Sequence, residues 1–282
     1  MTGAATAAGC VGDCVTGDYF GWLAETYDAY RPTDVEATRA EVDVLVAAAG
    51  AAAPGHALDV MCGPGRHALE LLRRGWTVTG VDRTGPLLDL LSGRAAAAGV
   101  QDRLTTHVAD AYVSALPGPV DVAFVLGNSF GFGAGVDACA RLLRSLRAAL
   151  RPGGTLLLEV FDVAARRAAQ PGGKAHPLPD GRVLTKTLTF DGTTSTEHAS
   201  VRVQGTDTGT GTGTDLRTCY RQLVPDERTL VALVAGAGFV DVGRRAGWPS
   251  TGSLLLVARV AADDASAAAG AMGDVGGVGG VR

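Results

Sequence analysis

The sequence has no long block of like charge, no uncharged apolar run near the ~20 residues that span a bilayer, and only five cysteines. With 25 basic and 29 acidic side chains intermixed, for a formal charge of −4, neither a nucleic-acid footprint nor attraction to an anionic membrane surface is expected. A small uncharged or cationic partner fits better. Cys10, Cys14, Cys62, Cys139 and Cys219 are odd in number and lie mostly within apolar runs, which points to reduced thiols and a cytoplasmic setting. Behind Cys10 and Cys14 comes no second Cys or His pair at ligand spacing, so no metal site is expected. The start, MTGAATAAGCVGDC, lacks both a basic segment and a continuous apolar core, so it does not read as a secretion signal.

What is present is enough chain, 282 residues, to bury a proper core without staples. Residues 1–16 and 261–282 are Ala/Gly-rich and weakly patterned, and read as poorly ordered tails. Residues 17–50 carry two helical segments. The first holds Trp22, Leu23, Tyr27 and Tyr30 and ends at Pro32. The second opens with Thr33-Asp34-Val35-Glu36, a capping box in which Thr33 is the cap, and reaches about Ala49.

From residue 51 to 162 the pattern alternates. Strands are expected at Ala57–Met61, Thr77–Val81, Leu104–Val108, Val120–Leu126 and Thr155–Phe161. Helices are expected at Arg66–Arg74 and Leu87–Ala98, with a third bearing Leu142, Leu146 and Leu150 on one face. Repeated β-α units imply a mostly parallel sheet covered on both faces. Arg151-Pro152-Gly153-Gly154 reads as the stop between that third helix and its strand.

Between 163 and 223 the period changes to two: Arg182–Phe190 and Thr194–Gln204 flank Asp191-Gly192, a two-residue turn suited to type I′ geometry, and Leu216–Leu223 offers a further strand. This antiparallel β insert suits either a cover over substrate or a contact in a homodimer. Residues 224–260 return to the α/β pattern and complete the core.

Chemistry concentrates at strand ends. In ALDVMCGPGRHALEL, residues 57–71, an apolar strand runs into Gly63 and Gly65 and out into a helix. That turn leaves room for a ligand against backbone and aims unpaired N–H groups at it. The next strand ends in Asp82, placed for ribose hydroxyls, and the third in Asp110, placed for an adenine amino group. The fourth ends LGNSFGFG, bringing Asn128, Phe130 and Phe132 to the mouth. The spacing Gly63-Pro64-Gly65-Arg66-His67-Ala68 also satisfies the dinucleotide fingerprint G-x-G-x-x-A, which keeps an NAD-dependent oxidoreductase as an alternative. Against that alternative, Asp59 is awkward beside a pyrophosphate, and Pro64 removes one N–H donor.

LDVMCGPG, VTGVD, VAD, DVAFVLGNSF and LRPGGTLLLEV, in that order over residues 55–162, resemble the successive motifs of class I S-adenosylmethionine-dependent methyltransferases, with echoes in YDAYRP and LVALVAGAGFVDV. The resemblance implies a Rossmann-like α/β fold with a seven-stranded sheet whose last strand is antiparallel. It implies S-adenosyl-L-methionine as cofactor: Asp59, Gly63 and Gly65 toward the methionine end, Asp82 for ribose and Asp110 for adenine. Cys62 in the turn, and Arg83, Ala111, Leu126 and Asn128 beside those strand ends, belong to the same cofactor set. Cys62 packs beside the turn and has no evident base to make it a nucleophile. The chain departs from many members in carrying His67 where they have a third glycine.

Methyl transfer mainly needs alignment and exclusion of water, and a base is optional for an amine but useful for a phenol, alcohol or carbon acid. Tyr19, Trp22, Tyr27 and Tyr30 lie on the segment that in this family folds over the cofactor as a lid, or else they pack an ordinary amphipathic helix. Arg31 is placed to pair with the methionine carboxylate, as in relatives resembling glycine N-methyltransferase, or sits on the surface. Tyr19, Tyr27, Asn128, Phe130 and Asp162 are the substrate-side candidates, Asp162 being preferred over Glu159. His176 and His198, on the insert, are the alternative bases. The reading is a small-molecule methyltransferase acting on an amine, loosely similar to bacterial antibiotic-tailoring N-methyltransferases. O- or C-methylation, and a domain that binds the cofactor without turnover, remain alternatives.

Overall fold

The computed structural model describes residues 24, 27–50, 54–168, 172–178, 181–203 and 216–263. A short helix α1 (Tyr27–Tyr30) precedes α2 (Val35–Ala49). The cap of α2 is Asp34 rather than Thr33: its extended backbone aims a carboxylate oxygen at the N–H of Ala37, 2.9 Å away, a contact worth about 1 kcal/mol. The sequence expectation was one residue early, because aspartate satisfies that free donor from the adjacent position.

The central sheet is built from β1 (His56–Val60), β2 (Thr77–Asp82), β3 (Leu104–Val108), β4 (Val120–Val125), β5 (Leu150–Phe161), β10 (Val240–Arg245) and β11 (Ser253–Arg259). Its order is β10-β11-β5-β4-β1-β2-β3, and β11 alone runs antiparallel to its neighbours. The helices between them are α3 (Arg66–Arg73), α4 (Gly85–Ala97), α5 (Val136–Ala149), α6 (Val163–Ala168) and α7 (Glu227–Gly236).

Both sheet faces are buried. In β4, Ala123 and Val125 join the core containing Leu142, Leu146, Leu230 and Val234, while Val122 and Phe124 join the one containing Val42, Leu45, Leu72 and Leu91. The period of two along a strand thus divides its side chains between two helical layers.

Helix α5 ends at Ala149, so Arg151–Gly154 is not the break between helix and strand. It lies inside β5, which starts at Leu150 with an irregular register against β4, and Gly153 (φ 76°) absorbs the kink. The main-chain bonds Gly153 N–H to Val260 O (3.1 Å) and Val260 N–H to Gly154 O (2.9 Å) keep the segment within the sheet.

The insert is a second, antiparallel sheet ordered β6 (Gly172–Pro177), β7 (Arg182–Phe190), β8 (Thr194–Val203), β9 (Leu216–Leu223). Strand β6 was not foreseen. The β7–β8 turn centres on Gly192-Thr193, with Asp191 paired to Thr194 and only Gly192 at positive φ (107°), the pattern of a type II′ turn rather than type I′. The Asp191 carboxylate accepts from the N–H groups of Thr193 (2.9 Å) and Thr194 (2.7 Å).

Strand order reverses between β1 and β4, opening a crevice at their carboxyl ends. The insert is fastened there. Gly133 N–H donates to Arg221 O (2.7 Å) and Leu223 N–H to Gly131 O (2.9 Å). A Cβ at Gly131 would stand 2.3 Å from Leu223 O, so this contact requires glycine.

Candidate functional site

The two glycines of the first turn have different work. At Gly63 an added Cβ would meet only Leu87 Cδ1, at 3.9 Å, and the residue lines the crevice. At Gly65 a Cβ would fall 2.3 Å from Leu91 Cδ1, so this position is bare to let α4 approach. Gly65 does not line the crevice.

Asp82, at the end of β2, is 9% exposed and reaches back to the turn. Its Oδ2 accepts from Gly63 N–H (2.8 Å) and its Oδ1 from Thr84 N–H (2.9 Å). A carboxylate has about four acceptor positions, and the Thr84 hydroxyl takes a third, so one is left for a ligand hydroxyl. Burial raises the carboxyl above its ordinary range although both N–H groups favour the charged form.

Asp59 is 3% exposed and faces the interior below the turn, not the crevice. Burial, then the neighbouring Asp82, push its carboxyl well up, against the pull of Arg66 and the Ala68 N–H. Burial and the same two aspartates also push the Cys62 thiol well up, so it is a packing group. His67 is buried with its Nε2 2.8 Å from Glu41 Oε2, tying α3 to α2. His56 Nε2 pairs with Thr79 Oγ1 at 2.8 Å.

Further along the crevice, Asp110 is exposed at the end of the β3 segment, and its Oδ1 accepts from Tyr112 N–H (2.9 Å). Asp82, Arg83, Asp110 and Ala111 all line this end. Leu126 lies beneath it, 4% exposed, in the core.

The opposite end gathers Tyr27 and Arg31 from the N-terminal segment, Asn128 and Phe132 after β4, and Phe161 at the end of β5. Asn128 (φ 58°) exchanges hydrogen bonds with Ser253: Nδ2 donates to Oγ at 2.9 Å and Oγ lies 3.2 Å from Oδ1. Phe130 is 1% exposed and packs in the core. Asp162 is outside the crevice: its Oδ1 caps α6 through the N–H groups of Ala164 (2.8 Å) and Ala165 (3.1 Å). Glu159, 1% exposed, holds the β4 loop by accepting from Gly127 N–H (2.7 Å) and Trp248 Nε1 (3.3 Å). Tyr19 and Trp22 lie outside the described residues, as does the side chain of His198; His176 is on β6 and away from the crevice.

Tyr112, Arg166, Lys186 and Gln222 are among the lining residues that the sequence reading does not mark. Tyr112 follows Asp110; its hydroxyl is sealed from solvent, and burial pushes the phenol up. Arg166 stacks 4.0 Å above the Phe161 ring and donates to Ser195 Oγ (2.8 Å). Lys186 and Gln222 come from β7 and β9. The strand-end rule could have found Tyr112, but nothing in the insert's sequence marks the other three. Among the described residues there is no cluster of metal ligands and no helix long and apolar enough to cross a membrane.

The sequence model of a family described as "Methyltransferase domain" matches residues 57–154. No curated protein matches the chain by sequence. Among solved structures, the CcbJ methyltransferase from Streptomyces caelestis is 25% identical, with 85% of this chain and 96% of that one covered and a TM-score of 0.68. The sugar N-methyltransferase KedS8 from Streptoalloteichus sp. is 18% identical over 93% of this chain and 100% of that one, TM-score 0.65. CalS10, an amino pentose methyltransferase from Micromonospora echinaspora solved with S-adenosylmethionine, is 23% identical over 84% and 96%, TM-score 0.60. The matching family is one of methyltransferases and not of dinucleotide enzymes, so the G-x-G-x-x-A spacing at 63–68 is incidental.

Proposed function

We propose that this chain, an S-adenosylmethionine-dependent methyltransferase of small molecules, delivers its methyl group to the nitrogen of an amine in secondary metabolism. The cofactor fits the groups present: an open backbone face at Gly63, a carboxylate with an acceptor position to spare at Asp82, and a second carboxylate at Asp110. We assign Asp82 to the ribose, Asp110 to the adenine amino group, and Arg31 to the methionine carboxylate. Asp59 works from below by holding the first turn of α3 through Ala68 N–H. Bound there, the cofactor supplies a methyl on sulfonium: the acceptor's lone pair forms the new bond, sulfur keeps the electrons of the old one, and the surplus proton leaves to solvent.

One observation carries the preference for nitrogen. Among the described residues lining the acceptor end, none is a carboxylate or an imidazole, since Asp162 caps a helix and Glu159 is spent on the β4 loop. An amine needs no base beyond being neutral when it attacks. Tyr27 and Asn128 flank that end and act by shaping it. The likeness to KedS8, a sugar N-methyltransferase, and CalS10, an amino pentose methyltransferase, favours an amino sugar or a similar hydroxylated amine.

The placement of Tyr27 and Arg31 supports residues 17–50 as a cover, and that of Lys186 and Gln222 supports the insert as the substrate-side wall rather than a dimer contact. The test is a panel of amine, phenol and sugar acceptors with methyl-labelled cofactor, followed by locating the new methyl. N-methyl products are expected; label found only on oxygen or carbon would reject the proposal.

A further inference from the structure

Gln222 on β9 is 4% exposed and lines the crevice. Its Nε2 donates to two main-chain oxygens of the loop after β4, that of Asn128 and, at 3.0 Å, that of Phe130. Only the nitrogen of an amide can serve two carbonyl oxygens, so these partners decide which way round the group sits. Oε1 therefore occupies the other corner. Among the described residues it accepts no hydrogen bond, and it is not among the side-chain atoms sealed from solvent without a partner.

Neighbouring acceptors are committed. The Asn128 carbonyl is taken by Gln222, and the Asn128 side-chain oxygen by Ser253 Oγ. That leaves Oε1 of Gln222, with the hydroxyls of Ser129 and Tyr27 as its competitors around this end. A fixed acceptor on a side chain so nearly buried is a group awaiting a donor, because an unpaired polar atom there is unfavourable.

We infer that Oε1 of Gln222 accepts an N–H of the acceptor amine and thereby sets the direction of its lone pair. This rests on the amine reading above. A neutral amine nitrogen has one lone pair at a tetrahedral corner; when an N–H is held by a fixed acceptor, the lone pair is left free and directed, which is the alignment that an uncatalysed encounter lacks. Because the same amide clamps β9 to the β4 loop, insert and core jointly set the acceptor's orientation.

The experiment uses the full chain and the amine that the wild type methylates fastest in the panel. Gln222→Met should lower kcat/KM for that amine by at least about tenfold, mainly through kcat, while affinity for S-adenosylhomocysteine changes by less than about threefold; Ser129→Ala should be much milder. If Gln222→Met disturbs folding, a crystal structure of the wild type with S-adenosylhomocysteine and the same amine decides: the nitrogen should lie within about 3.2 Å of Oε1. Unchanged kinetics in Gln222→Met, a loss confined to Ser129→Ala, or a nitrogen beyond about 4 Å overturns this inference alone. A wild type that methylates no amine overturns it together with the nitrogen reading.

Discussion

The N–H of Gly63 donates to Oδ2 of Asp82 at 2.8 Å, linking two residues 19 positions apart, and its partner oxygen Oδ1 holds Thr84. The carboxylate proposed for the ribose is therefore also the brace of the turn proposed to receive the methionine end. Binding at one end of the cofactor should depend on the other.

Asp82→Ala removes both the brace and the acceptor, and is expected to weaken S-adenosylhomocysteine binding by more than about tenfold, or about 1.4 kcal/mol. Asp82→Asn keeps one acceptor oxygen and should fall between the two. Isothermal calorimetry measures this; equal affinities in all three proteins would refute the assignment.

Gly63→Ala and Gly65→Ala should fail in different ways. Both positions have positive φ, 53° and 74°, so each alanine bears a backbone cost of roughly 1–2 kcal/mol. At 63 the added methyl enters the crevice, so affinity should drop while the melting temperature falls only slightly. At 65 it strikes Leu91, so the melting temperature should fall further. Leu91→Ala combined with Gly65→Ala should cost less than the sum of the two alone.

Asp59 makes stability pH-dependent in a defined direction. Its carboxyl is raised in the folded chain, first by burial and then by Asp82. The native state therefore keeps a proton that the unfolded chain releases near its ordinary pKa of about 3.9. The contribution is complete below that value and is lost as pH rises through the folded pKa. Asp59→Asn cannot lose it, so its melting temperature relative to wild type should climb between about pH 4 and pH 8. A constant difference across that range would contradict the shift.

Arg94 bridges the N-terminal segment and the glycine turn: Nη1 donates to Pro64 O at 3.1 Å and Nη2 to Asp28 Oδ1 at 2.6 Å. Tyr27 and Arg31 flank Asp28 and line the crevice. Arg94→Lys cannot span both partners with one ammonium. Stopped-flow measurements on this variant should show S-adenosylhomocysteine leaving several-fold faster, with the melting temperature little changed. An unaltered dissociation rate would mean that the segment does not hold the cofactor.

The sheet was largely legible because its cues are local. Alternation between the two cores in β4, the apolar faces of α5 and α7, and the carboxylates that end β2 and the β3 segment are all written in contiguous residues. The pattern misleads where neighbouring residues compete for one role, as Asp34 does with Thr33, or where Pro and Gly inside a strand read as the turn before it, as Pro152 and Gly153 do in β5.

The sequence by itself determined the strand order's ingredients and the bare turn at Gly63, since periodicity, caps and the residue types at strand ends act over a few positions. Tertiary structure alone decided that Gly65 serves Leu91, that Phe130 packs in the core, and that Gln222 stands across from Asn128. Those outcomes depend on distances between segments as many as 94 residues apart, and nothing local to either segment encodes its partner.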